Sequence, residues 1–346
     1  MPPAHAVAVK SIKSAAALTK IDFHSRIHFN KGDVFMQKEK YLIINIDDFG
    51  VSHAANVAAR ELYKNGKVTS MSIMAGASAY DEAVRIIKED NIESVGVHLY
   101  VTNEYPGENN IFRLKGLTNS KKLMNNGSFT EGFRYSVEYR DEVLAETIAQ
   151  LRKVIADEIL PSHIDCHMYS LWPNASNDFF EIACKLCKEH NISAIRLSAK
   201  IKEFGGYFSP LYSGRLKRLQ TRAMADSYGL KTVDYVYLMQ QGKDEQFTDE
   251  VMMRNFRKFL SLIPAGITEL HFHPAAEDEE LNAYNPWCQE RVAEYMLFKN
   301  NDIEAICAEY GVKLISYKDL ANMKRSKVFA SKLMSKILKK LDFIKF

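Results

Sequence analysis

From Tyr41 onward, short apolar runs alternate with stretches of helical period, and this alternation limits the fold more than any other feature of the chain. Strands are expected from Tyr41 and at 68–74, 94–100, 162–166, 194–197, 233–237, 267–272 and 312–316. Helical periods fill the gaps at 54–64, 80–89, 139–157, 178–190, 215–225, 251–262, 289–298 and 302–310. A strand that returns through a helix pairs parallel with its predecessor, and seven or eight such units predict a (β/α) barrel. The chain shows no internal repeat and no linker, so one domain is expected. The first strand sets the pattern: in Tyr41-Leu-Ile-Ile-Asn-Ile, only Asn45 breaks an apolar run suited to burial on both faces.

That strand ends in Asp47-Asp48, followed by Phe49-Gly50, where the chain can turn. Adjacent carboxylates repel and resist burial without a cation or donor. One reading is a metal ligand beside a general base; the other is a polar strand end whose Asp caps the next helix. Other strands end alike. His98 closes Val95-Gly-Val-His-Leu, while His163, Asp165 and His167 recur at every second residue and so face one way. Glu269, His271 and His273, the last preceding Pro274, repeat the arrangement. A single such His reads as a satisfied structural residue. Four strands ending in Asp or His converge in a parallel barrel, whose site lies at the C-terminal strand ends. Carboxylate and imidazole without thiolate suit a divalent ion with positions left for water and substrate.

Composition excludes several classes. With 47% hydrophobic and 26% charged residues the chain is an ordinary globular protein, and its net charge of +3 leaves no footprint for nucleic acid. No apolar run is long enough to span a bilayer. Five scattered cysteines do not make a disulfide framework, and together these features predict a cytoplasmic protein. Residues 1–35 begin Ala-rich and basic, without the apolar core of a secretory signal, and read as a poorly ordered extension. The barrel domain is then expected over 36–322.

Five pieces in order, Asn45-Ile-Asp47-Asp48-Phe-Gly50, Gly66-Lys-Val-Thr-Ser70, Gly96-Val-His98-Leu, His163-Ile-Asp165-Cys-His167 and Glu269-Leu-His-Phe-His273-Pro274, resemble the YdjC/ChbG-type carbohydrate deacetylases. These are relatives of the NodB polysaccharide deacetylases, and the resemblance implies an irregular (β/α) barrel. It further implies a metal, Mg or Zn, on Asp48, His98 and His167, with Asp47 as base and His273 as acid. Arg196, in Ala194-Ile-Arg-Leu, resembles an Arg that orients the catalytic Asp in NodB relatives. Where many members carry a His-rich run after the fourth motif, this chain has Met168-Tyr-Ser-Leu171, a change that bears on substrate more than on metal. The expected reaction is hydrolysis of an acetamide on an amino sugar or oligosaccharide: hydroxide attacks the carbonyl, the ion stabilises the oxyanion and His273 protonates the amine. Asp165 is expected to orient a neighbouring His, and Glu269 to orient a base or pair with a cation. The alternative is a barrel that binds metal and sugar without catalysis, but binding alone needs no free base beside Asp48.

Other motifs are weaker. Cys184-Lys-Leu-Cys187 has metal or redox spacing but falls inside a helical period without a second pair, so both cysteines read as structural. His163-x-Asp165 also fits a facial triad, which belongs on an antiparallel β-roll that this alternation disfavours. Gly205-Gly206 lacks the surroundings of a phosphate loop. At the end of the chain, Phe329, Leu333, Ile337, Leu341 and Ile344 make one apolar stripe over 323–346, flanked by Lys332, Lys336, Lys339 and Lys340. Such a helix suits either peripheral contact with an anionic membrane or docking on the barrel or on a second subunit of a homodimer.

Overall fold

The computed structural model describes residues 39–105, 109–125, 128–129, 139–172, 177–197, 208–210, 215–239 and 246–323. The expected extension at 1–35, the stripe beyond Met323 and Gly205-Gly206 lie outside these residues. In chain order the elements begin β1 (Lys40–Phe49), α1 (His53–Lys64), β2 (Ser70–Ile73), α2 (Tyr80–Glu89) and β3 (Val95–Leu99). A small hairpin follows, β4 (Met124–Asn125) with β5 (Ser128–Phe129), then α3 (Arg140–Ala156), β6 (His163–Cys166), α4 (Asn177–Glu189) and β7 (Ala194–Ile195). The second half runs β8 (Phe208–Pro210), α5 (Arg215–Tyr228), β9 (Tyr235–Met239), α6 (Asp249–Leu262) and β10 (Gly266–Phe272). It closes with α7 (Glu279–Tyr284), α8 (Cys288–Lys299), α9 (Ile303–Glu309), β11 (Val312–Leu314) and α10 (Tyr317–Asn322).

The strands form one sheet in the order β7-β6-β3-β2-β1-β10-β9-β8, with β11 beside the start of β1. Every pair in it is parallel except β8–β9. A parallel bridge between Ala194 and Lys231 ties the β7 edge to the segment leading into β9, so the sheet curls toward a closed barrel surrounded by helices. Leu42 to Phe49 of β1 are all buried, as their apolar run requires of a strand covered on both faces. Among the described residues no helix is long and apolar enough to cross a membrane.

Two layers fill the barrel. Its floor is apolar: Ile43, Ala194, Val233, Ile267, Tyr317 and Leu320 form a cluster separate from the main core. Above it the interior turns polar, with Asn45, Ser72, His163, Asp165 and Glu269 all fully buried. His163 stacks on Tyr317, ring centroids 3.6 Å apart, and its other side lies where a Cβ on Gly96 would come within 2.4 Å of the ring. Only glycine fits there. Cys184 and Cys187 are buried on α4, and burial pushes both thiols up, so neither carries reactive thiolate character.

The short pieces differ from the sequence-based expectation. The β4–β5 hairpin falls between the expected strand at 94–100 and the expected helix at 139–157, β8 runs antiparallel, and α7 and α10 have six residues each. Elements this short hold too few residues to display a period.

Candidate active site

The site is built at the C-terminal ends of β1, β3, β6 and β10. Successive strand residues normally point to opposite faces, so Asp47 and Asp48 should diverge. They do not. The β1–β2 register shifts between Ile46 and Phe49, and Asp48 has φ 60°, a left-handed conformation that Asp tolerates better than most residues. This irregularity turns both carboxylates into the same cluster. The helix-cap reading fails, because the hydroxyl of Ser52 caps α1 by accepting from Ala55 N.

Asp48, His98 and His167 each offer one atom to a group within 4.8 Å of one another. Asp48 Oδ1 lies 3.1 Å from His167 Nδ1 and 3.5 Å from His98 Nε2. Hydrogen bonds on the far sides of the rings fix which nitrogens carry protons. His98 Nδ1 donates to Asp165 Oδ1 at 2.8 Å, and His167 Nε2 to Glu104 Oε2 at 2.7 Å. With those protons placed outward and both rings neutral, as metal ligands are, His98 Nε2 and His167 Nδ1 would present lone pairs to Asp48 Oδ1. Three acceptors facing one another repel unless a cation sits between them. Edges of 3.1 and 3.5 Å match ligands about 2.0–2.2 Å from one ion. The donor set therefore fits a divalent metal, and the Asp165 and Glu104 bonds are of the kind that orient metal-bound imidazoles.

Charge balance agrees. Asp47, Asp48, Glu104, Asp165, Glu269 and Glu294 line the cluster against two guanidiniums, Arg196 and Arg291. Without a cation the imbalance falls on the imidazoles and glutamates. Burial opposes charge on His167, but Asp48 and Glu104 on either side outweigh it and raise its pKa to about 10. Burial raises Glu269 to about 7 and Glu294 to about 8.

Arg196 is the hub beneath the cradle. Its Nη1 and Nη2 grip Asp47 Oδ2 and Oδ1 at 2.7 and 2.6 Å, its Nε donates to Glu269 Oε1 at 2.8 Å, and its Nη2 reaches Asp165 Oδ2 at 2.8 Å. Asn45 adds a 2.8 Å bond to Asp47 Oδ1. Burial works to raise the Asp47 pKa, yet Arg196, with His98 and His271, holds the carboxyl well below its ordinary range. His273 is partly exposed, and burial of its ring brings its pKa down to about 4 against the pull of Asp48.

All six candidate residues, Asp47, Asp48, His98, His167, Arg196 and His273, thus share one cluster. Sequence reading passed over others. Arg291 of α8 donates from Nη2 to Asp48 Oδ2 at 2.6 Å and to Tyr105 Oη at 3.1 Å, leaving Oδ1 to face the imidazoles. Glu104 and Tyr105 come from the loop after β3. Tyr169 meets His271 Nε2 at 2.5 Å from a turn in which Met168 and Tyr169 both have positive φ. The His163 of the facial-triad reading stays below, stacked on Tyr317, and belongs neither to the Asp48, His98 and His167 group nor to the Asp47, His98 and Asp165 group that could also hold a metal among the described residues.

Comparison with known proteins adds to this geometry. The model of the family described as "YdjC-like protein" matches residues 41–309. The chain is 26% identical over 280 residues to carbohydrate deacetylase 1 of Listeria innocua serovar 6a, covering 81% of this chain and 99% of that protein. It is likewise 26% identical over 283 residues to a carbohydrate deacetylase of Clostridium beijerinckii, with the same coverage of 81% and 99%. Among solved structures, a putative cellobiose-phosphate cleavage protein from Enterococcus faecalis V583 superposes with a TM-score of 0.60 at 21% identity. That alignment covers 82% of this chain and 99% of the other, and it speaks to the fold.

Proposed function

This chain belongs to the YdjC-like protein family, and on that footing we propose that it is a hydrolase removing the acetyl group from an N-acetylated amino sugar or oligosaccharide. The observation that carries the reading is a carboxylate outside the cradle but touching it: Asp47, fixed by Arg196, lies 3.9 Å from His98 Nε2. A binding site alone would not need it. The relatives named carbohydrate deacetylase support the substrate class.

Asp48, His98 and His167 would hold the ion, Mg or Zn, and two imidazoles favour Zn. A bound divalent ion supplies the Lewis acidity that polarises an amide carbonyl and acidifies a water, which suits a base as weak as Asp47. Asp47 accepts the proton of the attacking water while Arg196 keeps its carboxylate aimed and ionised. His273, uncharged at pH 7, takes up the proton that the attacking water released to Asp47 and gives it to the amine nitrogen as the C–N bond breaks. Tyr169 and Glu269 act one step back, on His271 and on Arg196.

The test is acetate release by the purified full chain from mono- and oligomers of N-acetylglucosamine, before and after chelation. The expected result is acetate matched by free amine, lost with chelator and restored by Zn. Binding of these sugars without any acetate would overturn the reading and make the barrel a binding protein.

A further inference from the structure

Five large apolar side chains are exposed among the described residues: Val57, Leu160, Met168, Tyr284 and Trp287. Val57 lies on the outer face of α1, and Leu160 in the turn before β6, at the opposite end of the barrel from the site. The other three follow the C-terminal ends of β6 and β10, where the cluster lies. Met168 is the residue after His167. Tyr284 and Trp287 flank the turn between α7 and α8.

Trp287 is held firmly yet keeps its ring open. Its N–H donates to Oδ1 of the buried Asn285 at 2.9 Å, and its carbonyl accepts from Arg291 N at 3.0 Å as the first turn of α8. Trp287 is 41% exposed, and its indole meets Tyr105 edge-on with centroids 6.1 Å apart. Tyr105 shares Arg291 Nη2 with Asp48. One buried tyrosine and one buried arginine thus separate the exposed indole from the cradle. An exposed, pinned aromatic beside a polar site gives a flat apolar face at little entropic cost, and pyranose rings present a matching face of C–H groups.

We propose that Trp287 is the stacking platform for the sugar ring adjoining the one that carries the acetamide, making it a specificity determinant for disaccharides and longer chains. The inference rests on the reading of the site as a sugar deacetylase. Its position, two side chains from Asp48 rather than against it, assigns the platform to the neighbouring ring and not to the ring being deacetylated.

The chain has two tryptophans, and Trp172 is buried against Phe180 with its Nε1 bonded to Arg196 O, so a change in indole exposure reports on Trp287. Titrating the full chain with the β-linked disaccharide of N-acetylglucosamine should shift tryptophan emission to the blue and saturate, whereas the monosaccharide should not. Trp287→Ala should raise KM for the disaccharide about tenfold with kcat unchanged and leave the monosaccharide unaffected, which is about 1.4 kcal/mol of binding. Trp287→Phe should keep most of the affinity while losing the emission change. Equal effects of Trp287→Ala on both sugars, or none on either, would overturn the platform while acetate release still upheld the deacetylase. A saturating shift without acetate would uphold the platform and remove the deacetylase reading instead.

Discussion

At the scale of single residues, the cradle depends on partners that fix where protons sit. Glu104 accepts from His167 Nε2 at 2.7 Å, which leaves Nδ1 free to face Asp48. Glu104→Gln keeps the shape but can present an amide N–H to that ring and lacks the charge that raises its basicity. Metal affinity should fall by about 10–100-fold, measured by calorimetry with Zn, while the unfolding midpoint of the metal-free chain stays within a few degrees. An unchanged affinity would remove Glu104 from the cradle. Asp47 should behave in the opposite way. Asp47→Asn removes the proposed base while Asp48 keeps its oxygen, so turnover should drop by about 100-fold or more with metal content intact. Wild-type turnover in that variant would refute the base assignment.

At the scale of elements, α8 and the Trp287 that precedes its first residue place Trp287, Arg291 and Glu294 at spacings of four and three residues. Glu294 lies at its inner face, with Oε2 accepting from His273 N at 2.7 Å, and burial raises its pKa to about 8. An acid whose folded pKa is raised prefers to stay protonated, so the unfolded chain ionises first as pH climbs. Stability should then decline between about pH 4.3, the ordinary glutamate value, and about pH 8. Glu294→Gln retains an acceptor without the ionisation, so its melting temperature should match wild type near pH 4 and exceed it at pH 8. A constant gap at both pH values would contradict the assignment. The same helix marks where sequence reading stops. Strand ends were legible because period two puts Asp47, His98, Asp165, His167 and His273 at predictable positions. Arg291 and Glu294, three apart on a helix, look like a solvated surface pair, and nothing local says that Arg291 is buried on Asp48 and Glu294 on the backbone of His273. Glu104 and Tyr105 fall in a Pro- and Gly-containing loop without a period. Tyr169 reaches His271 only through two left-handed residues, neither of them glycine.

At the scale of the molecule, the site hangs from the barrel floor, and the end of the described chain closes that floor. Tyr317 and Leu320 of α10 are fully buried among Ile43, Ala194, Val233 and Ile267. Tyr317 also donates its hydroxyl to Glu269, stacks on His163, and has its N–H bonded to Ser70 Oγ at 3.0 Å. Glu269 in turn holds Arg196, which holds Asp47, so a residue at the foot of the barrel is linked to the proposed base at its mouth. A chain ending at Met323 keeps every one of these contacts, so it should still unfold cooperatively in urea and still bind Zn. A chain ending at Ser316 loses both side chains, worth about 1.5–3 kcal/mol of burial each, and leaves Glu269 Oε2 without the Tyr317 hydroxyl, with only Arg196 still donating to Oε1. Its midpoint should fall sharply. Tyr317→Phe separates the two effects: the ring still fills the floor, but the hydroxyl bond to Glu269 is gone. It should cost about 1 kcal/mol or a little more of stability and lower kcat with KM nearly unchanged, because Arg196 loses a fixed partner while the sugar-binding surface is untouched. Full turnover in Tyr317→Phe, with the Ser316 chain still folded, would show that the floor supports the barrel without positioning its chemistry.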